Sequence, residues 1–128
     1  MNYQSSEKIE IKQLPACPQS PNCVSSQSTD PEHFVEPFAY QGSLEEAKRR
    51  LLQIITALPR TRIVEEEHAY IHAEYTSLIF RFTDDLEFAI DDTRKVIHIR
   101  SASRVGHSDL GANRKRMETL RRHFNRHK

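Results

Sequence analysis

Two short stretches of the chain hold most of the residues that could do chemistry. The first is Cys17-Pro18-Gln19-Ser20-Pro21-Asn22-Cys23. Its cysteines stand six positions apart with two prolines stiffening the loop between them, so they could close a disulfide in an oxidising compartment. In a reducing one they would remain a thiol pair, and the spacing alone does not choose. Zinc fits less well. A structural zinc site takes four ligands, His33 would add a third to the two cysteines, and no residue supplies a fourth. The spacing also departs from the C-x-x-C of redox enzymes.

The second stretch is Arg100-Ser101-Ala102-Ser103-Arg104-Val105-Gly106-His107-Ser108-Asp109-Leu110-Gly111. It runs from the end of an expected strand into the start of an expected helix. The free N–H groups and dipole of a helix start favour anions. Arg100 or Arg104 could grip a carboxylate or phosphate through two N–H bonds. The candidate anion-accepting face comprises Arg100, Ser101, Ser103, Arg104, His107, Ser108, Asp109, Asn113 and Arg114. A structural reading competes with it: Ser108 or Asp109 caps the helix, and Asp109 pairs with an arginine. An enzyme on the same face would use His107 or His33 as base, Asp109 to orient it and Arg104 to stabilise negative charge.

No Walker spacing, dinucleotide glycine pattern or G-x-S-x-G elbow is present. None of the seven histidines forms H-E-x-x-H, and the Asp84–Asp92 carboxylates lack the glycine turn of a calcium loop. No cofactor and no metal are therefore expected. His72 with Glu74, and His98 with Arg100, fall on single strand faces. With Glu87 they could build a patch of cross-strand ion pairs.

The elements that must position these residues follow from length and pattern. A chain of 128 residues, 37% apolar and 29% charged, suits one domain that buries a core without metals or disulfides as substitutes. Residues 1–31, rich in Ser, Pro, Gln and Asn, read as an extended arm laid over the domain. Residues 1–14 are expected to be flexible, with the domain proper at 15–128. Residues 34–40 read as a strand, placed at an edge because Pro37 has no N–H to donate. Ser43 and Glu46 have capping-box spacing. Leu44, Ala47, Leu51, Ile55 and Leu58 then form one apolar stripe that Pro59 ends. Strands follow at 62–66, 69–76, 80–90 (bent near Thr83-Asp84) and 96–103, with Asp91-Asp92-Thr93-Arg94 as a turn. A last helix at 110–124 carries Leu110, Met117, Leu120 and Phe124, interrupted by Asn113.

The expected fold is α+β in the order β-α-β-β-β-β-α: an antiparallel sheet of four to five strands with both helices on one face. The alternative is a helix-grip or TBP-like arrangement with a cavity under the last helix.

Net charge is +1, so nothing pulls the whole chain toward nucleic acid. The distribution is uneven. Residues 61–93 hold nine acids against Arg62 and Arg81, while residues 110–128 hold seven bases against Glu118. Attraction between the two halves is the structural explanation. The basic helix has no stacking aromatics beyond Phe124, which the core claims, so nucleic acid is disfavoured as a partner. No apolar run approaches the roughly 18–20 residues that cross a bilayer, and residues 1–13 lack a secretory pattern. As it stands the chain is expected in the cytoplasm; behind a leader it would be exported or membrane-attached.

Cys17-Pro18-Gln19-Ser20-Pro21-Asn22-Cys23-Val24-Ser25-Ser26, Arg100-Ser101-Ala102-Ser103-Arg104-Val105-Gly106 and Ser108-Asp109-Leu110-Gly111-Ala112-Asn113-Arg114-Lys115-Arg116 together resemble the domain-of-unknown-function family 1499. His33, Pro37 and Asp85-Leu86-Glu87-Phe88 extend the resemblance over residues 15–124. Many members of that family carry a signal, lipoprotein or membrane segment before the cysteine text, and an aromatic where this chain has His107. The resemblance carries no catalytic residues. It implies that residues 17–26 and 100–116 are neighbours in space. The function expected is a non-catalytic binding or interaction module taking a small anionic ligand or an acidic partner group. The alternative is a small hydrolase or transferase with a His/Asp/Arg site; the sequence specifies no oligomeric state.

Overall fold

A computed structural model describes residues 11–105 and 111–126. The elements are β1 (Cys23–Ser25), β2 (Phe38–Ala39), α1 (Leu44–Ala57), β3 (Thr61–Glu67), β4 (Tyr70–Thr76), β5 (Thr83–Asp91), β6 (Val96–Ser103) and α2 (Ala112–Arg126). The strands form one antiparallel sheet in the order β1-β6-β5-β4-β3, with β2 also paired to β6. The α+β class and the expected element order hold, with one addition. The sheet has six strands, because the arm itself supplies β1.

Side-chain alternation divides the sheet into two faces. Ile71 and Ala73 of β4, Leu86, Phe88 and Ile90 of β5, Ile97 and Ile99 of β6, and Val24 of β1 share one core with both helices. From α1 come Leu44, Ala47, Leu51, Ile54 and Ile55; from α2 come Met117, Leu120 and Phe124. Phe38 of β2 joins them, its ring centroid 5.5 Å from that of Phe124. Met117, Leu120 and Phe124 are fully buried, so α2 closes onto the sheet instead of arching over a cavity.

The opposite face is covered in part by the arm. Leu14 packs with Tyr70 and Ala89, Lys12 Nζ lies 4.2 Å from the Tyr70 ring centroid, and Leu14 N donates to Gln27 Oε1 at 2.9 Å. Covered on both sides, β5 is buried through most of its second half.

Local signals explain the element ends. Ser43 Oγ accepts the Glu46 N–H at 3.1 Å and caps α1. β3 is the far edge of the sheet; its Glu65, Glu66 and Glu67 are exposed, and such charges discourage pairing with another chain. β2 pairs only with the outer side of β6, which suits the neighbouring Pro37. The strand expected from residue 80 begins instead at Thr83. Phe80 and Phe82 alternate as a strand would, but they belong to the β4–β5 turn.

Candidate functional site

The described residues of the expected polar face fall on two sides of the sheet, because alternate residues of β6 point to opposite sides. Arg100 lies on the arm-covered face, and its cross-strand partner is Glu87. Its Nη1 donates to Glu87 Oε2 at 3.4 Å and its Nη2 to Ala16 O at 3.2 Å, both beneath the arm. Arg100 Nε is buried and has no hydrogen-bond partner among the described residues. Glu87 also accepts from Tyr70 Oη at 2.6 Å, and burial together with that carboxylate holds the phenol above its ordinary pKa.

Arg104, farther along the same side, is chelated by carboxylates. Its Nε donates to Asp85 Oδ2 at 2.8 Å and its Nη2 to Asp85 Oδ1 at 2.9 Å, while Nη2 also meets Glu74. Arg62 Nη2 donates to the other oxygen of Glu74 at 2.9 Å, and His72 Nε2 bonds Asp85 Oδ1 at 2.8 Å. The Arg104 guanidinium, before any other cause, holds Glu74 and Asp85 below the usual carboxylate range. Cross-strand ion pairs do form on this face, but not as the single patch expected: Arg100 pairs with Glu87 alone, His72 and Glu74 join Asp85, Arg104 and Arg62, and His98 turns to Ser26.

Ser101, Ser103 and Asn113 sit on the helix side. Ser101 Oγ donates to Asn113 Oδ1, and Asn113 Nδ2 donates to Asn22 O and Ser103 Oγ, each at 3.1 Å. Asn113 is 1% exposed. The residue that broke the apolar stripe of the last helix is thus a buried bracket joining α2 to β6 and to the arm. Arg116 adds a bond to Asn113 Oδ1 at 3.0 Å and an ion pair with Asp84 Oδ2 at 2.8 Å, its guanidinium 4.2 Å from the Tyr75 ring centroid. Arg114 donates to Phe34 O at 2.7 Å and Glu32 O at 3.0 Å. Arg121 similarly donates to Pro37 O at 2.8 Å. Arg114 and Arg121 thus tie α2 to carbonyls of the 32–37 loop, and of the three only Arg116 reaches the acidic half, through Asp84. His107, Ser108 and Asp109 lie outside the described residues.

Cys17 and Cys23 form a disulfide with a Cα separation of 5.6 Å, within the range a bridge requires. The two motif stretches do meet: Cys23 pairs with Ala102 and Val24 with Ser101 across β1 and β6, and Asn22 Nδ2 donates to Val105 O at 2.7 Å. Beside the disulfide, a cleft of about 290 Å³ opens between the arm and the 25–33 loop, with Ser25, Gln27, Asp30 and His33 in its wall. A second opening, of about 380 Å³ beside the 91–94 turn, has His98 and Asp91 in its wall.

The Asp30–His33 pair is closed to catalysis. His33 Nε2 lies 2.8 Å from Ser20 O, which can only accept, and Nδ1 lies 3.0 Å from Asp30 Oδ2. Nε2 donates to Ser20 O and a proton on Nδ1 meets Asp30, so both contacts favour the protonated ring. The Ser20 carbonyl first, then Asp30, raise its pKa. A base needs a free lone pair, and both His33 nitrogens are engaged, by Asp30 and by the Ser20 carbonyl. His98 differs: burial lowers its pKa, and its Nδ1 lies 3.0 Å from Ser26 Oγ, which already accepts the Ile99 N–H. Nδ1 is thus engaged by Ser26, and burial favours the neutral ring. Among the described residues no cluster of three or more His, Cys, Asp or Glu side chains is arranged to hold a metal ion.

Sequence reasoning passed over Asn22, Asp85 and Arg116. It also passed over the Asp30–His33 pair, whose D-x-x-H spacing was its visible signal, and the exposed apolar turn at residues 78–82, where Leu78-Ile79-Phe80 stands between turn-forming Ser77 and the next strand.

A family model described as "Protein of unknown function (DUF1499)" matches residues 13–124, and the chain belongs to that family. No curated protein matches it.

Proposed function

We propose that this DUF1499 domain is a non-catalytic binding module that takes an acidic partner group at one end of its sheet. That end is built from the start of β3, the β4–β5 turn, the end of β6 and the first turns of α2. Its charge balance carries the reading. Among the described residues, Arg60, Arg62, Arg81, Arg104, Arg114, Lys115 and Arg116 stand against Glu74, Asp84 and Asp85, seven bases to three acids. All three acids are already paired, with Arg62, Arg104 or Arg116. Arg60, Arg81, Arg114 and Lys115 have no carboxylate partner among the described residues, and this leaves an uncompensated positive field.

His33, with both ring nitrogens engaged, argues for binding over catalysis. Within this reading Arg104, with 47% of its side chain exposed, forms the rim of the surface. Ser101, Ser103 and Asn113 act as its scaffold, and Arg100 secures the arm. No described observation favours a hydrolase or transferase.

Titration calorimetry with inorganic phosphate and with citrate tests the proposal. Both should bind in a salt-sensitive manner, and the double substitution Arg60→Glu, Lys115→Glu should remove binding without lowering thermal stability. Equal binding by the double variant, or none by the wild type, would defeat it.

A further inference from the structure

The β4–β5 hairpin ends in an apolar tip. Ser77 closes its base twice: its N–H donates to Phe82 O, and its Oγ accepts the Phe82 N–H, each at 2.9 Å. Leu78, Ile79, Phe80 and Arg81 are thrown outward, and Arg81 turns the chain back with φ of 60°. Leu78 is 63% exposed, Ile79 79% and Phe80 72%, the three most exposed large hydrophobics among the described residues. Phe80 stacks on Phe82 with ring centroids 5.5 Å apart, so the apolar surface is continuous. Short turns ordinarily take Gly, Asn, Asp or Ser. Contiguous apolar surface left in water marks a contact site.

The charge around the tip names the contact. Arg81 is in the tip. Arg60 flanks its base, donating to Thr76 O at 3.0 Å, and Lys115 lines the shallow cleft beside Tyr75. The neighbouring acids are taken up by other arginines, so the tip carries a basic collar. A protruding tip whose loop base is already closed by Ser77 and Phe82 offers no groove for a protein segment. A convex apolar wedge with cationic flanks matches a bilayer with anionic headgroups, where apolar side chains reach the acyl boundary and bases meet phosphates.

The geometry points to residues 78–82 as a lipid-surface anchor: Leu78, Ile79 and Phe80 enter the membrane interface while Arg60, Arg81 and Lys115 hold anionic headgroups. This rests on the acidic-partner reading above and makes the partner a phospholipid surface.

The chain has no tryptophan, so Phe80→Trp provides a single reporter. With phosphatidylcholine vesicles containing phosphatidylserine, its emission should shift to the blue and be quenched by brominated acyl chains; phosphatidylcholine alone should give a much weaker response. In co-sedimentation, Ile79→Asp or Phe80→Asp should lower vesicle partitioning at least about tenfold. Both sites are exposed, so thermal melts should match the wild type.

An unshifted reporter, or tip variants that bind vesicles as the wild type does, would overturn the anchor. If phosphate still bound and the Arg60→Glu, Lys115→Glu variant still lost it, the anion reading would survive that failure; if neither phosphate nor vesicles bound, both would fall. Dimerisation lost on Ile79→Asp, with no vesicle binding, would assign the tip to protein contact and also overturn the anchor.

Discussion

His33 shows how much the identity of a partner decides at the scale of one residue. A histidine beside an aspartate in a cleft has the outline of an acid–base pair, but the Ser20 carbonyl on its other nitrogen favours the protonated ring. The consequence is measurable. Because the folded-state pKa is raised, the folded protein binds the proton more tightly than the unfolded chain. The stabilisation is complete below the ordinary value of 6.5 and is lost as pH rises through the raised one. His98, lowered by burial, contributes with the opposite sign, losing stability as pH falls below 6.5. Urea unfolding of wild type and His33→Gln across pH 5.5–8.5, a window set around the ordinary histidine pKa of about 6.5, separates the two. The wild-type advantage should be largest at the acid end and shrink toward the alkaline end; an advantage that grows with pH would contradict the imidazolium assignment. The sequence showed the carboxylate-gripping capacity of Arg100 and Arg104. It did not show that Glu87, Asp85 and Glu74 already fill them, because those contacts depend on cross-strand register.

At the scale of elements, α1 was legible because cap, stripe and stop are all local: Ser43, the spacing from Leu44 to Ile55, and Pro59. The three-residue β1 was not, since Cys23-Val24-Ser25 has no periodicity of its own and is a strand only by pairing with β6. The start of β5 was misplaced for the converse reason. Phe80-Arg81-Phe82 continues the alternation of a strand, and only the bonds that Ser77 makes to Phe82 end the ladder there. Asn113 belongs with these nonlocal cases. It weakens the stripe of α2, yet it ties that helix to Ser101, Ser103 and Asn22. Asn113→Ala would leave several buried groups without partners, at roughly 1–3 kcal/mol each when unrelieved. The expected loss is about 2–4 kcal/mol of unfolding free energy in urea, with Ser103→Ala costing under about 1 kcal/mol because Asn113 keeps its other contacts. Similar losses in the two variants would remove Asn113 from its place as the bracket.

At the scale of the whole molecule, the arm, sheet and helices form three layers, and the arm is the least self-sufficient. It holds its face through Leu14 against Tyr70 and Ala89, through Ala16 on Arg100 and through the Cys17–Cys23 bridge. The bridge closes a short loop, so in the chain-entropy picture it restricts the unfolded state by only roughly 2 kcal/mol. The segment around Cys23 is held independently of the bridge, by pairing of β1 with β6, by Val24 in the core and by the Asn113 bond to Asn22. Reduction should therefore act unevenly. Cys17→Ser with Cys23→Ser, or wild type in reductant, should keep the helical far-ultraviolet signal and lose about 2 kcal/mol or less in urea. The change should concentrate in the arm: faster proteolytic cleavage within residues 11–19 and faster amide exchange at Tyr70 and Ala89, with the amides of α1 and α2 still protected. Thiol counting on protein purified without reductant should find no free thiol until reductant is added. Two free thiols under those conditions, or loss of α2 protection together with the arm, would show that the arm and the core do not separate in this way.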